Sequence, residues 1–430
     1  MDVIKINSSL FIENRKRLTA VMKPGSILVL NSNDILPSNA DGTMPFKQNT
    51  DLFYFTGIEQ EETILVLFPD AKDEAHREIL FIRDVNKELV VWEGDKLTDA
   101  EAEEISGIKN IQPVSKFSQL FKHLVSDAEN IYLNANEHKR ASFEVETRED
   151  RFIKKCRIDF PLNNYLRAAP LIYNLRVIKS SKEVEFIKKA CDLTEKGFRR
   201  VLKFIKPGVK EYEIEAEFAH EFIRNGQSFA DYSPIIASGV DSCSLHYDKN
   251  YKTCKDGDVV LMDTAAMYAN YNADMTRTAP VNGKFTKRQK QVYNSVLKVH
   301  NATRNLMVKG KMLESLLKDT ECLIEKELIE LGLINPAALK DDNEKKDLVK
   351  KYYPHGVAHF LGLDVHDVGY FHKPLAPGMV LTCEPGIYIR EEGFGIRLEN
   401  NILITDSGNT DLMASIPIEA DEIEEIMNSK

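Results

Sequence analysis

Membrane spans and secretory signals are missing from the apolar patterning of this sequence. No stretch approaches the roughly 20 apolar residues of a membrane span, and the start, MDVIKINSSLFIENRKR, has no apolar core of signal-peptide length. Cysteine is scarce, since its six residues form no CxxC pair and are too few for a disulfide framework. We therefore predict a cytoplasmic protein with no membrane partner.

Dense runs of lysine and arginine interleaved with aromatic residues are also lacking. The formal net charge is −10 and the pI is near 5.6, which disfavours binding to phosphate backbones. The basic residues scattered over 139–157 are typical of a solvated helix face, so we expect no nucleic-acid partner. The content of 43% hydrophobic and 29% charged residues is typical of a soluble globular protein.

Alternating strand-like and helix-like segments occupy the first part of the 430 residues, a length that suggests about two or three domains. A helical pattern at 11–22 is stopped by Pro24 and Gly25. Runs rich in Val, Ile, Leu and Phe, bounded by turn-forming residues, predict strands at 26–30, 63–68, 78–82, 89–92 and 130–133. These patterns predict an N-terminal α/β domain.

A second domain is predicted after Pro161 and Pro170, which interrupt the periodicity. Ser180 and Glu183 form an S-x-x-E capping box, which satisfies the unpaired amides at the start of a helix. The predicted domains are 1–172 and 173–430. Later segments read as helices at 211–224 and 287–305, strands around Val259 and Met275, and an exposed charged connection at 335–351.

Five potential metal ligands are dispersed through the second half of the chain, in the neighbourhoods VVLMDTAA, NADMTRT, HGVAHFLGLDVHD, LTCEPG and IRLEN. They are Asp263, Asp274, His359, Glu384 and Glu399. Four carboxylates and one imidazole carry too much negative charge for a single structural zinc ion, and they match two divalent cations that share bridging carboxylates. This set predicts hydrolysis by a metal-activated water.

The chain around the two aspartates predicts how they come together. Asp263 ends the apolar run 259–262, which indicates a buried strand that delivers a carboxylate at its end. Asp274 follows 274 − 263 = 11 positions later, after a segment that reads as a turn between two strands. A hairpin of that length can bring both aspartates to one edge of a sheet.

A second motif is informative for what it lacks. His355 and His359 have the i, i+4 spacing of a helical zinc protease, but Gly356 stands where that motif requires its catalytic glutamate. The sequence therefore disfavours a helical mononuclear zinc site.

Further segments carry a resemblance to a known family: PFKQNTDLFYFTG near the N-terminus, LHYDKN around His246, HGVAHFLGLDVHDVG, and GIRLEN near the C-terminus. With the five ligand candidates in family order, the chain resembles the pita-bread-fold dinuclear metallopeptidases, most closely the aminopeptidase P branch, with prolidase as near kin. The resemblance implies an α/β N-terminal domain and an α+β pita-bread (creatinase/aminopeptidase-like) C-terminal catalytic domain.

The resemblance also implies an arrangement of ligands around two divalent metal ions. Asp263 and Asp274 would bind one metal, Asp274 and Glu399 would bridge to the second, and His359 and Glu384 would complete the second. An oxygen-rich set with one imidazole favours Mn²⁺, although Co²⁺ or Zn²⁺ could occupy such a site. A hydroxide that bridges the metals would attack the peptide bond.

Catalytic roles follow from the same resemblance. Glu384 would carry a proton from the nucleophile to the leaving amine. His246 and His366 would stabilise the substrate or the tetrahedral intermediate, and His355 would line the pocket or support another group from behind. Arg397 would orient ligands or a carboxylate electrostatically.

Trp92, the only tryptophan, is similar to a family position that reaches a neighbouring subunit's active site, and a buried core tryptophan is the alternative. The expected assembly is a homodimer or a homotetramer. Two positions depart from the family pattern: Ala265 stands where the family often has the glycine of Asp-x-Gly, and Asn400 replaces an acidic residue. Neither departure touches a ligand atom, so we expect effects on metal affinity or pH optimum.

The predicted function is that of an Xaa-Pro aminopeptidase, which acts on peptides with proline in the second position. The alternative is a prolidase, which cleaves only Xaa-Pro dipeptides, and the N-terminal signature favours the aminopeptidase. A third hypothesis is a catalytically inactive pita-bread module that binds peptides. It is disfavoured because all five ligand candidates are present.

Overall fold

The computed structural model describes residues 5–85, 87–138, 140, 144–338 and 342–429. The chain divides into two compact units, Val3–Arg176 and Val177–Lys430, and each builds its own sheets. Within the described ranges, no helix combines the length and the apolar character that a membrane crossing requires.

A mixed six-stranded sheet organises the N-terminal unit. Its strands are β1 (Ser26–Asn31), β2 (Ile64–Leu67), β3 (Glu78–Ile82), β4 (Asn110–Pro113), β5 (Asn130–Leu133) and β6 (Asn164–Arg167). They lie in the order β4-β3-β2-β1-β5-β6. β2 pairs antiparallel with β1 and β3, whereas the other three pairings are parallel. Every residue of β1 is buried, because this strand lies inside the sheet.

Helices cover this sheet. They are α1 (Ser9–Thr19), α2 (Thr50–Thr56), α3 (Lys87–Glu93), α4 (Asp99–Ser106), α5 (Phe117–Val125), α6 (Arg148–Asp159) and α7 (Ala169–Arg176). Side chains alternate along β1, so Ile27 and Val29 share one face. They belong to the same buried core cluster as Phe121 and Leu124 of α5. Burial of these two amphipathic surfaces against each other stabilises the unit.

The segment PFKQNTDLFYFTG receives a structural explanation within the N-terminal unit. Asn49 begins α2, because its side chain accepts hydrogen bonds from the amides of Asp51 and Leu52. Gly57 ends the helix with a φ of 69°, and a Cβ at this position would lie 2.3 Å from the ring of Phe11. The segment therefore specifies a short helix with a glycine end.

The predicted strand at 89–92 is wrong, because these residues belong to helix α3. A run of four apolar residues does not distinguish a strand from a helix by periodicity. The side chains of Val91 and Trp92 are each 80% exposed, unlike those of a buried strand. The other predicted strands are confirmed, whereas β4 and β6, which are polar strands at the two edges of the sheet, were not predicted.

The C-terminal unit contains short antiparallel sheets and longer helices. Its helices are α8 (Ser181–Phe204), α9 (Glu211–Arg224), α10 (Lys287–Leu306), α11 (Leu313–Glu330), α12 (Asp342–Tyr352) and α13 (Ala420–Asn428). Its strands are β7 (Ile235–Ser238), β8 (Val259–Asp263), β9 (Met267–Tyr268), β10 (Tyr271–Asn272), β11 (Thr276–Pro280), β12 (Val380–Cys383), β13 (Gly386–Ile389), β14 (Phe394–Arg397), β15 (Asn400–Thr405) and β16 (Gly408–Asp411).

These strands form two three-stranded sheets and two hairpins. The sheets have the orders β11-β8-β7 and β12-β15-β16, and the hairpins are β9–β10 and β13–β14. The predicted capping box at Ser180 and Glu183 begins α8, with both of its hydrogen bonds present. The predicted helices at 211–224 and 287–305 are confirmed as α9 and α10.

The predicted hairpin joins the two aspartates of the site. Asp263 is the last residue of β8, and Thr276 of the antiparallel partner β11 lies opposite it. Between them the chain turns through Ala269 and Asn270, whose φ angles are 52° and 64°. Two consecutive positive φ angles in a two-residue turn are typical of type I′ hairpins. Asp274 precedes β11 by two positions and therefore returns to the edge where Asp263 ends.

The charged segment at 335–351 was predicted to be an exposed connection. Most of its described residues are exposed or partly exposed, as predicted, but much of the segment is helical, which was not predicted. The structure has a 3-10 turn at Pro336–Ala338 and helix α12, while residues 339–341 lie outside the described ranges. Val349 and Tyr352 are buried at a spacing of three residues, which gives the helix one packed face. With so few apolar residues among the lysines, the sequence of this segment shows no clear helical pattern.

Candidate metal centre

Three of the predicted ligands meet in the interior of the C-terminal unit. Asp274, His359 and Glu399 are buried, and each offers a ligand atom within 4.8 Å of those of the other two. They come from separate parts of the chain: before β11, in the irregular segment between α12 and β12, and between β14 and β15. Only the folded chain creates this group, because the first and last of them are 125 positions apart (399 − 274).

Asp263 and Glu384 flank this triad at the ends of strands. Oδ2 of Asp263 accepts a hydrogen bond of 2.5 Å from Nη2 of Arg397. Glu384 follows β12 directly, and its Oε1 lies 3.9 Å from Nε2 of His359. The structure therefore brings all five predicted ligand residues to one region of the C-terminal unit.

Without a cation, the carboxylates of this region are buried close together and repel one another when ionised. Burial raises the pKa of Asp263, that of Glu384 to about 7, and that of Glu399 well above its ordinary value. The neighbouring negative charges raise the same pKa values further, with Asp274 acting on all three. A divalent cation would relieve this repulsion, and oxygen ligands with one imidazole suit such an ion. The donor set therefore fits a metal.

His359 presents one nitrogen to the carboxylates. Its Nδ1 lies 3.0 Å from the carbonyl oxygen of Phe360, so a proton on Nδ1 donates there. Its Nε2 is left facing Oδ2 of Asp274 at 3.3 Å. Burial opposes a charged imidazole, but the hydrogen bond to Asp274 and the charge of Glu384 outweigh it and raise the pKa of His359 to about 9. The geometry makes Nε2 the available metal-binding atom.

The other predicted histidines occupy distinct places around the triad. The ring of His366 lies on that of His359, with centroids 4.0 Å apart and planes inclined by 37°. Nε2 of His355 is 2.8 Å from the hydroxyl of Tyr388. Burial, together with the charge of Arg397, lowers the pKa of His355 to about 3. His246 has an exposed side chain within electrostatic range of His355.

The segment that carries His355 and His359 is irregular and lies outside any helix. These histidines therefore do not form the helical pair of a zinc protease, in agreement with the argument from Gly356.

Comparison with known proteins places this arrangement in a family. Residues 185–406 match the model of metallopeptidase family M24, and residues 11–132 match that of the aminopeptidase P N-terminal domain. The Xaa-Pro aminopeptidase of Escherichia coli is 32% identical over 438 positions, which cover 98% of this chain and 98% of the relative. The chain belongs to the aminopeptidase P family of M24 metallopeptidases.

Solved structures of the family agree over nearly the whole chain. Zinc-substituted E. coli aminopeptidase P in complex with product has a TM-score of 0.86 and 32% identity, with 98% of each chain covered. The same enzyme with the inhibitor Pro-Leu gives the same values. The predicted fold, an aminopeptidase P N-terminal α/β domain and a pita-bread catalytic domain, is confirmed. The prediction of a metallo-aminopeptidase, a hydrolase, is also confirmed.

Arg397 links several groups at the aminopeptidase P site. It donates from Nε to the hydroxyl of Thr276 at 3.0 Å, from Nη1 to Tyr388 at 2.9 Å, and from Nη2 to Asp263. Thr276 in turn donates to Oε2 of Glu399 at 2.6 Å. The planar guanidinium therefore holds two of the carboxylates in fixed relation to the tyrosine.

Sequence reasoning missed two residues that hold Asp274. The hydroxyl of Tyr232 donates to Oδ1 of Asp274 at 2.8 Å. The side chain of Asn401 accepts from the amide of Asp274 at 3.1 Å and donates to its carbonyl at 2.6 Å. Asn401 stands two positions after Glu399, which is a local signal. Tyr232 lies in a loop before β7 and carries no pattern that could have revealed it.

The two departures from the family pattern lie next to paired strands and hydrogen-bonded side chains. The amide of Thr264 donates to the carbonyl of Met275 at 3.0 Å, so β8 and β11 stay paired beyond Asp263. Asn400 accepts a hydrogen bond from Arg277 and donates one to Asp411, at 2.7 Å in each case.

Trp92 lies on α3 in the N-terminal unit and is 80% exposed, so the alternative of a core tryptophan is wrong.

Proposed function

We propose that this chain hydrolyses the peptide bond between an N-terminal residue and a following proline, as a metal-dependent Xaa-Pro aminopeptidase. The observation that carries the proposal is the buried convergence of Asp274, His359 and Glu399 within 4.8 Å, in a chain of the aminopeptidase P family. The E. coli relative with 98% mutual coverage bears the name Xaa-Pro aminopeptidase, which supports the same substrate class.

The proposed ligand set has two divalent cations and five residues. Asp263, Asp274, His359, Glu384 and Glu399 would hold these ions. When bound, the ions would lower the pKa of a bound water and polarise the scissile carbonyl. We assign Mn²⁺ as the native ion on the oxygen-rich donor set. A zinc-substituted E. coli relative indicates that zinc can also enter sites of this family.

Glu384 is the proposed proton carrier. Its carboxylate lies 3.9 Å from His359 and its side chain is 21% exposed, so it can meet both the ligand group and a peptide. In the metal-free protein, burial and the neighbouring carboxylates raise the pKa of Glu384 to about 7. A bound cation would lower that pKa, so the carboxylate would be ionised and able to accept a proton. It would take the proton of the nucleophile and give it to the leaving amine.

The surrounding histidines and Arg397 have proposed roles in binding. His366, whose ring contacts that of His359, and the exposed His246 would donate hydrogen bonds to the substrate or the tetrahedral intermediate. His355 contacts Tyr388 and supports it from behind. Arg397 orients Asp263, and through Thr276 also Glu399.

We further propose that the active form is a homodimer or a homotetramer in the cytoplasm. An isolated exposed tryptophan, Trp92, favours a partner surface, because large exposed aromatic residues are enriched in protein interfaces. All six cysteines are unpaired thiols, which agrees with a reducing compartment.

The decisive experiment compares peptide substrates on purified protein reconstituted with Mn²⁺. A tripeptide with proline second should be cleaved to its first residue and a dipeptide, while the matched tripeptide with alanine second should be a poor substrate. If only the Xaa-Pro dipeptide is cleaved, the assignment as an aminopeptidase would be overturned in favour of a prolidase. Failure with every peptide at full metal loading would favour the inactive binding module.

A further inference from the structure

A buried ion pair lies close to the site and has no part in the proposed ligand set. Nζ of Lys179 is 2.9 Å from Oδ2 of Asp367, and each side chain is only 1% exposed. Lys179 is near the start of the C-terminal unit, 188 positions before its partner. Ion pairs so completely removed from water are uncommon, because both charges lose their hydration.

The position of Asp367 connects this pair to the reaction. Asp367 follows His366, whose ring lies on that of His359. The amide of Asp367 donates to the carbonyl of Phe360 at 2.9 Å, which closes residues 360–367 into a compact loop. We call this segment the histidine loop. A side chain that fixes Asp367 therefore fixes the backbone that presents His366.

The histidine loop is held from a second side. Nδ2 of Asn272 donates to the carbonyl oxygens of Gly362 and Leu363, at 3.2 and 2.9 Å. The amide of Lys179 donates to the carbonyl of Gly378 at 2.8 Å, so the lysine is itself anchored at its backbone. The side chains of Lys179 and Asn272, which come from distant parts of the unit, therefore both bind the histidine loop.

Gly362 shows how little room the pair leaves. A Cβ at this glycine would lie 2.2 Å from Oδ2 of Asp367 and 3.0 Å from Cε of Lys179. The ion pair thus packs directly against the turn of the histidine loop. Even one added methyl group would displace the carboxylate, the lysine or the loop.

Energetics favour a role in geometry over a role in stability. Replacing a buried ion pair by apolar side chains of similar volume is often neutral or stabilising, because desolvation offsets the attraction. An ion pair that tolerates one arrangement does, however, specify position and direction. We propose that Lys179 and Asp367 are positioning residues, which hold the histidine loop so that His366 lies against His359. This proposal rests on the function proposed above.

The test is the double variant Lys179→Met/Asp367→Leu, which removes both charges and leaves none unpaired. A displacement of about 1 Å at a reacting group costs on the order of 100-fold in rate, so kcat on the proline tripeptide should fall about 10- to 100-fold. The metal content and KM should stay near those of the parent. The matched control is Lys182→Met/Glu185→Leu, which removes an exposed ion pair on α8 and should leave kcat unchanged.

A double-mutant cycle separates positioning from general loosening. In a His366→Ala background, removal of the ion pair should lower kcat by less than threefold, because the group it positions is already gone. A loss of the same size in both backgrounds would overturn the proposal. Normal kcat in the Lys179→Met/Asp367→Leu protein would also overturn it.

Gly362→Ala provides an independent route if the double variant does not fold, because it displaces the pair and keeps both charges. Its kcat should fall in the parent and not in the His366→Ala background, and a normal kcat would overturn the proposal. A crystal structure of either variant should show the rings of His366 and His359 further apart, and an unchanged ring separation would overturn it. Failure of the proposed function is distinct, since the parent and the Lys182 control would then both be inactive.

Discussion

The phenolic hydroxyl of Tyr232 donates a hydrogen bond of 2.8 Å to Oδ1 of Asp274, one of the proposed metal ligands. Asp274 lies in the buried triad, so this bond orients a proposed ligand. Burial, with the charges of Asp274 and Asp263, raises the pKa of Tyr232 well above its ordinary value. The hydroxyl therefore stays a donor throughout the working pH range.

Removal of that hydroxyl should weaken metal binding. Tyr232→Phe leaves the ring in place, so Asp274 loses orientation without a cavity, and we expect metal affinity to fall about 10- to 100-fold. Isothermal titration of metal-free protein with Mn²⁺ measures the change. Tyr293→Phe is the control, because it removes a buried hydroxyl bond of 2.7 Å to the carbonyl of Ile418. Equal affinities in parent and Tyr232→Phe would contradict the assignment.

Glu384→Ala should remove turnover. The variant loses both a proposed ligand and the proton carrier, and loss of the acid–base contribution alone costs about 10²- to 10⁴-fold in kcat. Steady-state kinetics at saturating Mn²⁺ give the value. The control is Glu392→Ala, since Glu392 binds Arg288 at a partly exposed ion pair. Activity near that of the parent in Glu384→Ala would refute the mechanism.

Metal-free protein should lose stability as pH rises. Burial raises the pKa of Glu384 to about 7, and for His359 the bond to Asp274 overcomes burial to give a pKa of about 9. Both values exceed the ordinary ones, so both groups bind protons more tightly when folded. The stabilisation from these two groups is fully present below their ordinary pKa values. It is lost as the pH rises through their pKa values in the folded protein. We expect the free energy of unfolding to fall between about pH 5 and pH 9.

Urea unfolding in chelator at several pH values tests this expectation. The side chain of Glu384→Gln does not titrate, so that protein should lose less stability between about pH 5 and pH 7. Parallel curves for the parent and the variant would contradict the raised pKa of Glu384. Mn²⁺ should oppose the decline, because its ligands bind it in their deprotonated forms.

Trp92→Ala should impair substrate use without unfolding the chain. The side chain is 80% exposed, so its removal leaves no cavity in the N-terminal unit. If it completes a partner's site, truncation of an interfacial tryptophan costs about 2 kcal/mol or more, and kcat/KM should fall at least tenfold. Val91→Ala is the matched control on the same helix, equally exposed. An unchanged kcat/KM in Trp92→Ala would reject this role.

Local patterns explain which parts of the fold were predictable. Strand β8, its terminal Asp263 and the turn before Asp274 are encoded within a few residues, because apolar runs and turn residues act on their neighbours. Helix α3 was predicted as a strand, since four apolar residues suit either structure. Helix α12 was read as an exposed connection, because few apolar residues mark its packed face.

The family, the five ligand candidates and the short elements that present Asp263 and Asp274 can all be read from local sequence patterns. The side chains that hold these ligand candidates cannot, because they come together only in the folded chain. Tyr232 meets Asp274 across 42 positions and Lys179 meets Asp367 across 188. Such partners follow from the path of the whole chain, because a hydrogen bond or a buried ion pair requires only proximity in space and leaves no periodic signal in sequence.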